Sequence, residues 1–502
     1  MYRLSVVLSL LVAACVAEQK FPPGFKFGAA TAAYQVEGAW NVSDKSPSIW
    51  DTFTHDNPDL IADKSNGDVA CDSYRLWETD IAVAKDMGLH FYRFSISWPR
   101  LLPDGYSNYV SEDGKRYYNN LINGLIENGI EPVVTLYHWD LPQKLQDLGG
   151  WTNPELARLF EDYAKVAFGL FGDRVKTWIT FNEPVIICDA AYETGRMAPG
   201  IVLPGIGTYI CAKVVVLAHA RAYRLYDTKF RAQYQGKVGL TDQHLWCEPK
   251  NSDEVENAEL MRNLLALYAY PIYSKTGGWP PSVEKLIAEK SEKEGYSRSR
   301  LPTFTEEEIE LIKGTYDFYG LNYYTSRIVE TAQPGQYLYW PMTGSSEFGL
   351  ALSPDPSWNN GHDWLISFPP GIRRQLHWLK QQFGDIEFKI LENGYSTAEP
   401  VMYDEERVNY YKDHLEQVLL AINEDKVNVT AYTAWSLIDN FEWINGYTSR
   451  FGLVNIDFND PDRKRTPRAS AHYYAAVIKS HSLDLPHHSP GFLKILFDKI
   501  IT

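Results

Sequence analysis

Eight short apolar runs, each followed by a stretch of helical periodicity, constrain this chain more than any other feature. They are FKFGAATAA (25 to 33), HFYRFSIS (90 to 97), EPVVTLYH (131 to 138), VKTWITF (175 to 181), KVGLTDQ (237 to 243), YDFYGLNYY (316 to 324), EFKILE (387 to 392) and VTAYTAWS (429 to 436). Between them lie segments such as YNNLINGLIENG, which puts Tyr118, Leu121, Ile122, Leu125 and Ile126 on one face, and ERVNYYKDHLEQVLLAIN before the last run. Parallel strands need crossover helices, and eight such units can close on themselves. The expected fold class is therefore α/β, a (β/α)8 TIM barrel with long βα loops. The irregular stretch from Gln243 to Tyr316 reads as an insertion. No Gly/Ser linker, low-complexity tract or charge block divides the chain, so residues 18–502 are expected to form one domain.

The first residues, MYRLSVVLSLLVAACVAEQK, carry Arg3, an apolar run from Leu4 to Ala14, and small residues at Cys15 and Ala17 ahead of Glu18. This pattern predicts a signal peptide over 1–17 and a secreted, extracellular protein, in a digestive lumen or similar setting. The apolar run falls short of the ~20 residues that cross a bilayer. The segment FLKILF (492 to 497) reads as a packed or frayed end. Cleavage would leave Cys71, Cys188, Cys211 and Cys247, enough for one or two disulfides whose pairing the sequence leaves open. Of two sequons, Asn41 lies in a polar loop and is expected to be glycosylated, whereas Asn428 opens an apolar strand and is expected to be shielded. A formal charge of −16 repels nucleic acid and anionic membranes, so the expected partner is a small neutral molecule; the sequence also admits a homodimer.

In such barrels the chemistry gathers where the strands end. Read by that rule, the ends present Gln35, Arg93, His138, Asn182 with Glu183, Asn322 with Tyr324, Glu392, and Trp435. In VKTWITFNEPV, Pro184 stops the strand and leaves Glu183 at its lip. Glu392 ends FKILENGY in the same way. Two carboxylates facing across a barrel mouth suggest glycoside cleavage. A separation of ~5 Å would make one a nucleophile and the other an acid then base, whereas ~6.5 Å or more would admit a water and invert the anomeric centre. Trp435 and Trp443 offer stacking surface for a pyranose, and Gln35, His138, Asn182 and Glu442 offer donors and acceptors for its hydroxyls. Arg93 is expected to keep Glu392 ionised and Tyr324 to orient it, while an apolar wall and Glu392 raise the pKa of Glu183.

TFNEP (180 to 184), LENG (391 to 394), YRFSISWPR (92 to 100), YHWDLP (137 to 142), GLNYYTS (320 to 326) and AWSLIDNFEW (434 to 443) together resemble the signature segments of glycoside hydrolase family one, in order and over almost all of the mature chain. The resemblance implies a retaining β-glycosidase that hydrolyses β-O-glucosides and also galactosides or fucosides. It implies Glu183 as acid/base, Glu392 as nucleophile, and no metal or cofactor. It further implies glycone contacts by Gln35, His138, Trp139, Asn182, Trp435, Glu442 and Trp443, with Phe451 lining the same subsite and Arg93, Asn322 and Tyr324 supporting the carboxylates. Trp364, in HDWLISFPPG, matches an aglycone platform, and LENG departs from the family in having Leu391 where many members have Thr. Two alternatives remain. One is a myrosinase, a thioglucosidase for which Arg327 could meet a sulfate, its bland reading being a solvated surface charge. The other is a non-catalytic sugar-binding relative. The natural aglycone depends on the loops after strands four and six, the latter containing QPGQYLYWPMTGSSEFG (333 to 349).

Overall fold

The computed structural model describes residues 19–333, 336 and 347–485. The leader, the FLKILF segment and most of the loop after strand six lie outside them. Eight parallel strands close a ring: β1 (Lys26–Ala30), β2 (Phe91–Ser95), β3 (Glu131–Tyr137), β4 (Thr177–Asn182), β5 (Lys237–Pro249), β6 (Tyr319–Thr331), β7 (Phe388–Asn393) and β8 (Val429–Trp435). Each pairs with its sequence neighbour, and β8 returns to β1. All eight runs read from sequence are thus strands of the barrel, trimmed at some ends.

Alternation of side chains explains why these runs are almost wholly apolar. Phe91, Val133, Ile179, Phe318, Leu391 and Ala431 form one cluster that plugs the barrel interior. Val134, Leu136, Trp178, Val238 and Leu321 belong to the large core cluster between strands and helices. Register sets the upper rim: Ala30 lies beside both Arg93 and Trp435, and Glu392 lies beside Asn322.

Four readings need correction. The stretch from Gln243 to Tyr316 is not irregular, because β5 runs on to Pro249 and the helices Val255–Leu265, Pro281–Lys293 and Glu306–Ile312 follow it. Strand β6 likewise outruns its expected end, since its outer half pairs antiparallel with Leu350–Ser353. On the helix Glu112–Glu127, Tyr118, Leu121, Ile122 and Leu125 are buried, whereas Ile126 is 43% exposed because it falls at the edge of the apolar stripe. Cys188 and Cys211 form a disulfide, and Cys71 and Cys247 are buried free thiols. Asn41 and Asn428 are both exposed, the second because it sits in the turn just before β8. Among the described residues no helix is long and apolar enough to cross a membrane.

Candidate active site

A cavity of about 390 Å³ opens at the C-terminal rim of the barrel, and both Glu183 and Glu392 line it. Each closes its strand: Glu183 follows Asn182 at the end of β4, and Glu392 is the penultimate residue of β7. Both carboxylates are buried, at 5% and 4% exposure.

Their surroundings differ. Arg93 donates to Glu392 Oε1 at 2.7 Å and Tyr324 Oη donates to Glu392 Oε2 at 2.7 Å. Glu183 Oε1 accepts one hydrogen bond, from Asn322 Nδ2 at 2.7 Å. Asn322 also sits beside Glu392 in the register of β6 and β7, so one residue adjoins both acids. Burial raises both pKa values. Glu183 is driven well above the usual carboxylate range, by burial first and then by the negative charge of Glu392, with only Asn322 and Arg93 opposing. Burial also leads at Glu392, but the Arg93 charge and the hydrogen bonds from Tyr324 and Arg93 oppose it, so its rise is smaller. Arg93 therefore limits the rise without reversing it.

Asn182 ties together the wall beside the two acids. Its Oδ1 accepts from Arg93 at 2.6 Å and from Asn322 at 3.1 Å, which leaves its Nδ2 to donate to His138 Nε2 at 3.0 Å. His138 is neutral, because burial and then Arg93 push its pKa well below the usual value. With Nε2 accepting, the proton belongs on Nδ1, a buried donor with no protein partner among the described residues. The His138 ring lies nearly parallel to Trp435 and to Trp443, with centroids 5.8 and 5.9 Å away, and Trp139 Nε1 donates to Asn182 O at 2.8 Å. Glu442 and Phe451 complete this end. Burial, then Glu392, raises Glu442 to about 8, against hydrogen bonds from Trp435 and Gln35. Gln35 is not at a strand end as expected; it lies on the short helix Ala33–Val36, and its Nε2 donates to Asn440 Oδ1 and Phe441 O at 2.9 Å. Its Oε1 is buried and unpartnered among the described residues. Gln35, Arg93 and Asn322 stand behind the cavity wall; the other predicted residues line it.

Trp139, Glu183 and Trp443 hold left-handed backbone, with φ of 79°, 51° and 54°. Such conformations are uncommon outside glycine and concentrate at functional sites.

At the outer end Trp364 meets Tyr324 edge-on, with centroids 5.6 Å apart. Sequence reasoning missed the rest of this end: Ile186, Arg196, Met197, Gln243, Asp363, Ile444 and Asn445. Gln243 ends the predicted fifth strand, so the rule used for the others would have found it. Asp363 and Ile444 adjoin residues already chosen, and Asn445 donates to Asp363 at 3.0 Å across the mouth. Arg196 and Met197 lie in a loop with no local pattern. Arg327 is neither at the mouth nor solvated. It is 1% exposed, and its guanidinium donates to Thr325 Oγ1, Ser326 O and Trp364 O.

A parallel eight-stranded barrel whose rim holds two unlike carboxylates among indole rings and hydroxyl-reading amides defines a glycoside hydrolase. Comparison with known proteins narrows this. The chain belongs to glycosyl hydrolase family 1, whose model matches residues 17–483, and it is a β-glycosidase. It is similar to Myrosinase 1 of Brevicoryne brassicae, with 45% identity over 92% of this chain and 99% of that protein. The cytosolic β-glucosidase of Homo sapiens shares 42% identity, again over 92% and 99% of the two chains. Among solved structures, an aphid myrosinase superposes with a TM-score of 0.88 at 45% identity over 92% and 99% of the chains. A rice β-glucosidase, caught as a glutamate-to-glutamine variant in covalent complex with glucose, gives 0.84 at 36% identity over 91% and 98%.

Proposed function

We propose that this protein is a retaining β-glucosidase in which Glu392 attacks the anomeric carbon and Glu183 first protonates the leaving oxygen, then deprotonates a water. The observation that carries this reading is the unlike setting of the two acids: Arg93 and Tyr324 both donate to Glu392, whereas Glu183 accepts one bond, from Asn322. The unlike pKa pressures agree: Glu183, in which burial and Glu392 outweigh Asn322 and Arg93, keeps its proton, and Glu392, with an arginine and a phenol on it, is the more readily ionised. The covalent glucose complex of the rice relative is consistent with the same chemistry. His138, Asn182, Glu442 and the indoles of Trp435 and Trp443 would read the glycone, and Trp364 would floor the aglycone. No step calls for a metal or cofactor.

Azide tests the two roles. In Glu183→Ala, a 2,4-dinitrophenyl glucoside still forms the covalent intermediate, and azide, which needs no base, restores turnover and gives the β-glycosyl azide. In Glu392→Ala turnover is lost, and azide gives the α-azide. Rescue of neither variant, or the same anomer from both, overturns the assignment.

The myrosinase relative keeps a thioglucosidase reading open to assay. Offering an aryl β-glucoside and a glucosinolate side by side decides it, the first being the expected substrate and galactosides and fucosides slower ones. A non-catalytic relative would have lost a carboxylate, and both are present. We further propose secretion with removal of residues 1–17 and glycosylation at Asn41. N-terminal sequencing should begin at Glu18, and light scattering reads whether the mature chain forms a homodimer.

A further inference from the structure

The barrel has a second mouth. At the N-terminal ends of the strands, opposite the catalytic pocket, lies a cavity of about 400 Å³, as large as the catalytic one. Its floor is the interior plug: Phe91, Val133, Leu391 and Ala431 all face it. Its rim carries Lys26, Lys176, Lys237 and Lys389 against Glu131 and Glu387.

These charges are unevenly spread. Lys26 pairs with Glu131, which also accepts from Thr177 Oγ1 at 3.0 Å, so that side is neutral. On the other side one carboxylate, Glu387, takes Lys237, Lys389 at 2.7 Å and Thr430 Oγ1 at 2.7 Å. Lys176 stands beside Lys237, whose backbone N–H donates to the Lys176 carbonyl at 2.9 Å. Its ammonium donates to the carbonyls of Gly172 at 3.2 Å and Tyr234 at 2.8 Å and has no carboxylate partner among the described residues. Two lysines thus share one glutamate, and a third on the same rim has none. That leaves an excess of two positive charges over an apolar floor, on a chain whose net charge is −16. The lysine of an exposed pair is held weakly and can turn to a better acceptor; the Lys237 side chain is 52% exposed. A concave, locally positive site with an apolar base suits a ligand carrying one acidic head on an apolar body.

We propose that this mouth binds a small organic anion, a carboxylate or sulfate borne on an aromatic or aliphatic body. The acidic head meets Lys176, Lys237 and Lys389, and the body lies over Phe91 and Leu391. The site is separate from the catalytic pocket and independent of the roles assigned there.

Calorimetric titration of the whole protein with naphthalene-2-sulfonate tests this, with saturating deoxynojirimycin filling the catalytic pocket. One site per chain is expected. Lys176→Met weakens binding at least about fivefold, as does Lys237→Met, which leaves Glu387 its Lys389 partner. Inorganic sulfate and 2-naphthol each bind at least about tenfold more weakly than the probe, because each lacks one half of the recognised chemistry. Both variants keep the wild-type kcat/KM for an aryl β-glucoside, which certifies their fold. The proposal falls if the wild type gives no saturable heat, if neither lysine variant weakens binding, or if sulfate alone binds as tightly as the probe. In any of those cases the rim is only a set of strand-end ion pairs.

Discussion

Asn322 donates to Glu183 at 2.7 Å, so the residue that must carry a proton is held by a group that favours its ionised form. Burial and Glu392 outweigh that bond. Replacing Asn322 with Ala removes the opposing contact, and the pKa of Glu183 rises further. The basic limb of the kcat/KM profile then moves to higher pH. The maximum rate drops roughly 10²-fold, because Glu183 loses the bond that orients it. A fall in rate with an unmoved basic limb would mean that Asn322 only shapes the wall.

Glu442, raised to about 8, binds a proton in the folded empty protein that it releases near pH 4.5 when unfolded. The folded state therefore holds more protons between these values. The stabilisation from this group is complete below about pH 4.5 and is lost as pH climbs toward 8. Glu442→Gln should flatten that part of the curve, by at most about 1.4 kcal/mol per pH unit. Urea midpoints measured at pH 5 and pH 8 for both proteins check it, and parallel declines would show that other groups set the slope.

How much of this was legible in the sequence depends on what each residue answers to. Arg93, Asn322 and Glu392 sit on strands, where a period of two and a hydrogen-bonded register fix every side chain once the run is recognised, and Glu183 directly follows one. Trp443 follows from its own signature segment. Arg196 and Met197 belong to a loop whose course is set by the disulfide and by Glu193, whose carboxylate accepts the backbone N–H groups of Gly205 and Thr208. Nothing local encodes those distant constraints. Arg327 shows the reverse failure: three residues beyond Tyr324 it looked reachable from the mouth, but β6 continues there and turns its side chain inward among carbonyls.

That disulfide closes a loop of 23 residues' separation that begins shortly after Glu183 and carries two residues of the outer wall. Cys188→Ser with Cys211→Ser should raise KM for bulky aryl aglycones about three- to tenfold. Inhibition by deoxynojirimycin, which has no aglycone, should stay within twofold or so. Equal losses on both readouts would place the effect in the barrel as a whole.

Arg196 is exposed at the pocket mouth with no carboxylate partner among the described residues. Its charge should favour aglycones that carry an acid. Arg196→Met is expected to lower kcat/KM about threefold for a carboxyphenyl glucoside at low salt, and to leave the neutral phenyl glucoside unchanged. A difference that survives 1 M salt (a Debye length of about 3 Å) would point to shape rather than charge.

The left-handed backbone at Trp139, Glu183 and Trp443 sets the protein's endurance against its work. Each costs roughly 1 kcal/mol that glycine would not incur, and the fold bears it only to aim those side chains into the pocket. A population of variants screened for heat resistance alone would drift toward glycine at these positions and toward silence as an enzyme. Hardening this protein by directed evolution therefore requires that survival and turnover be selected together.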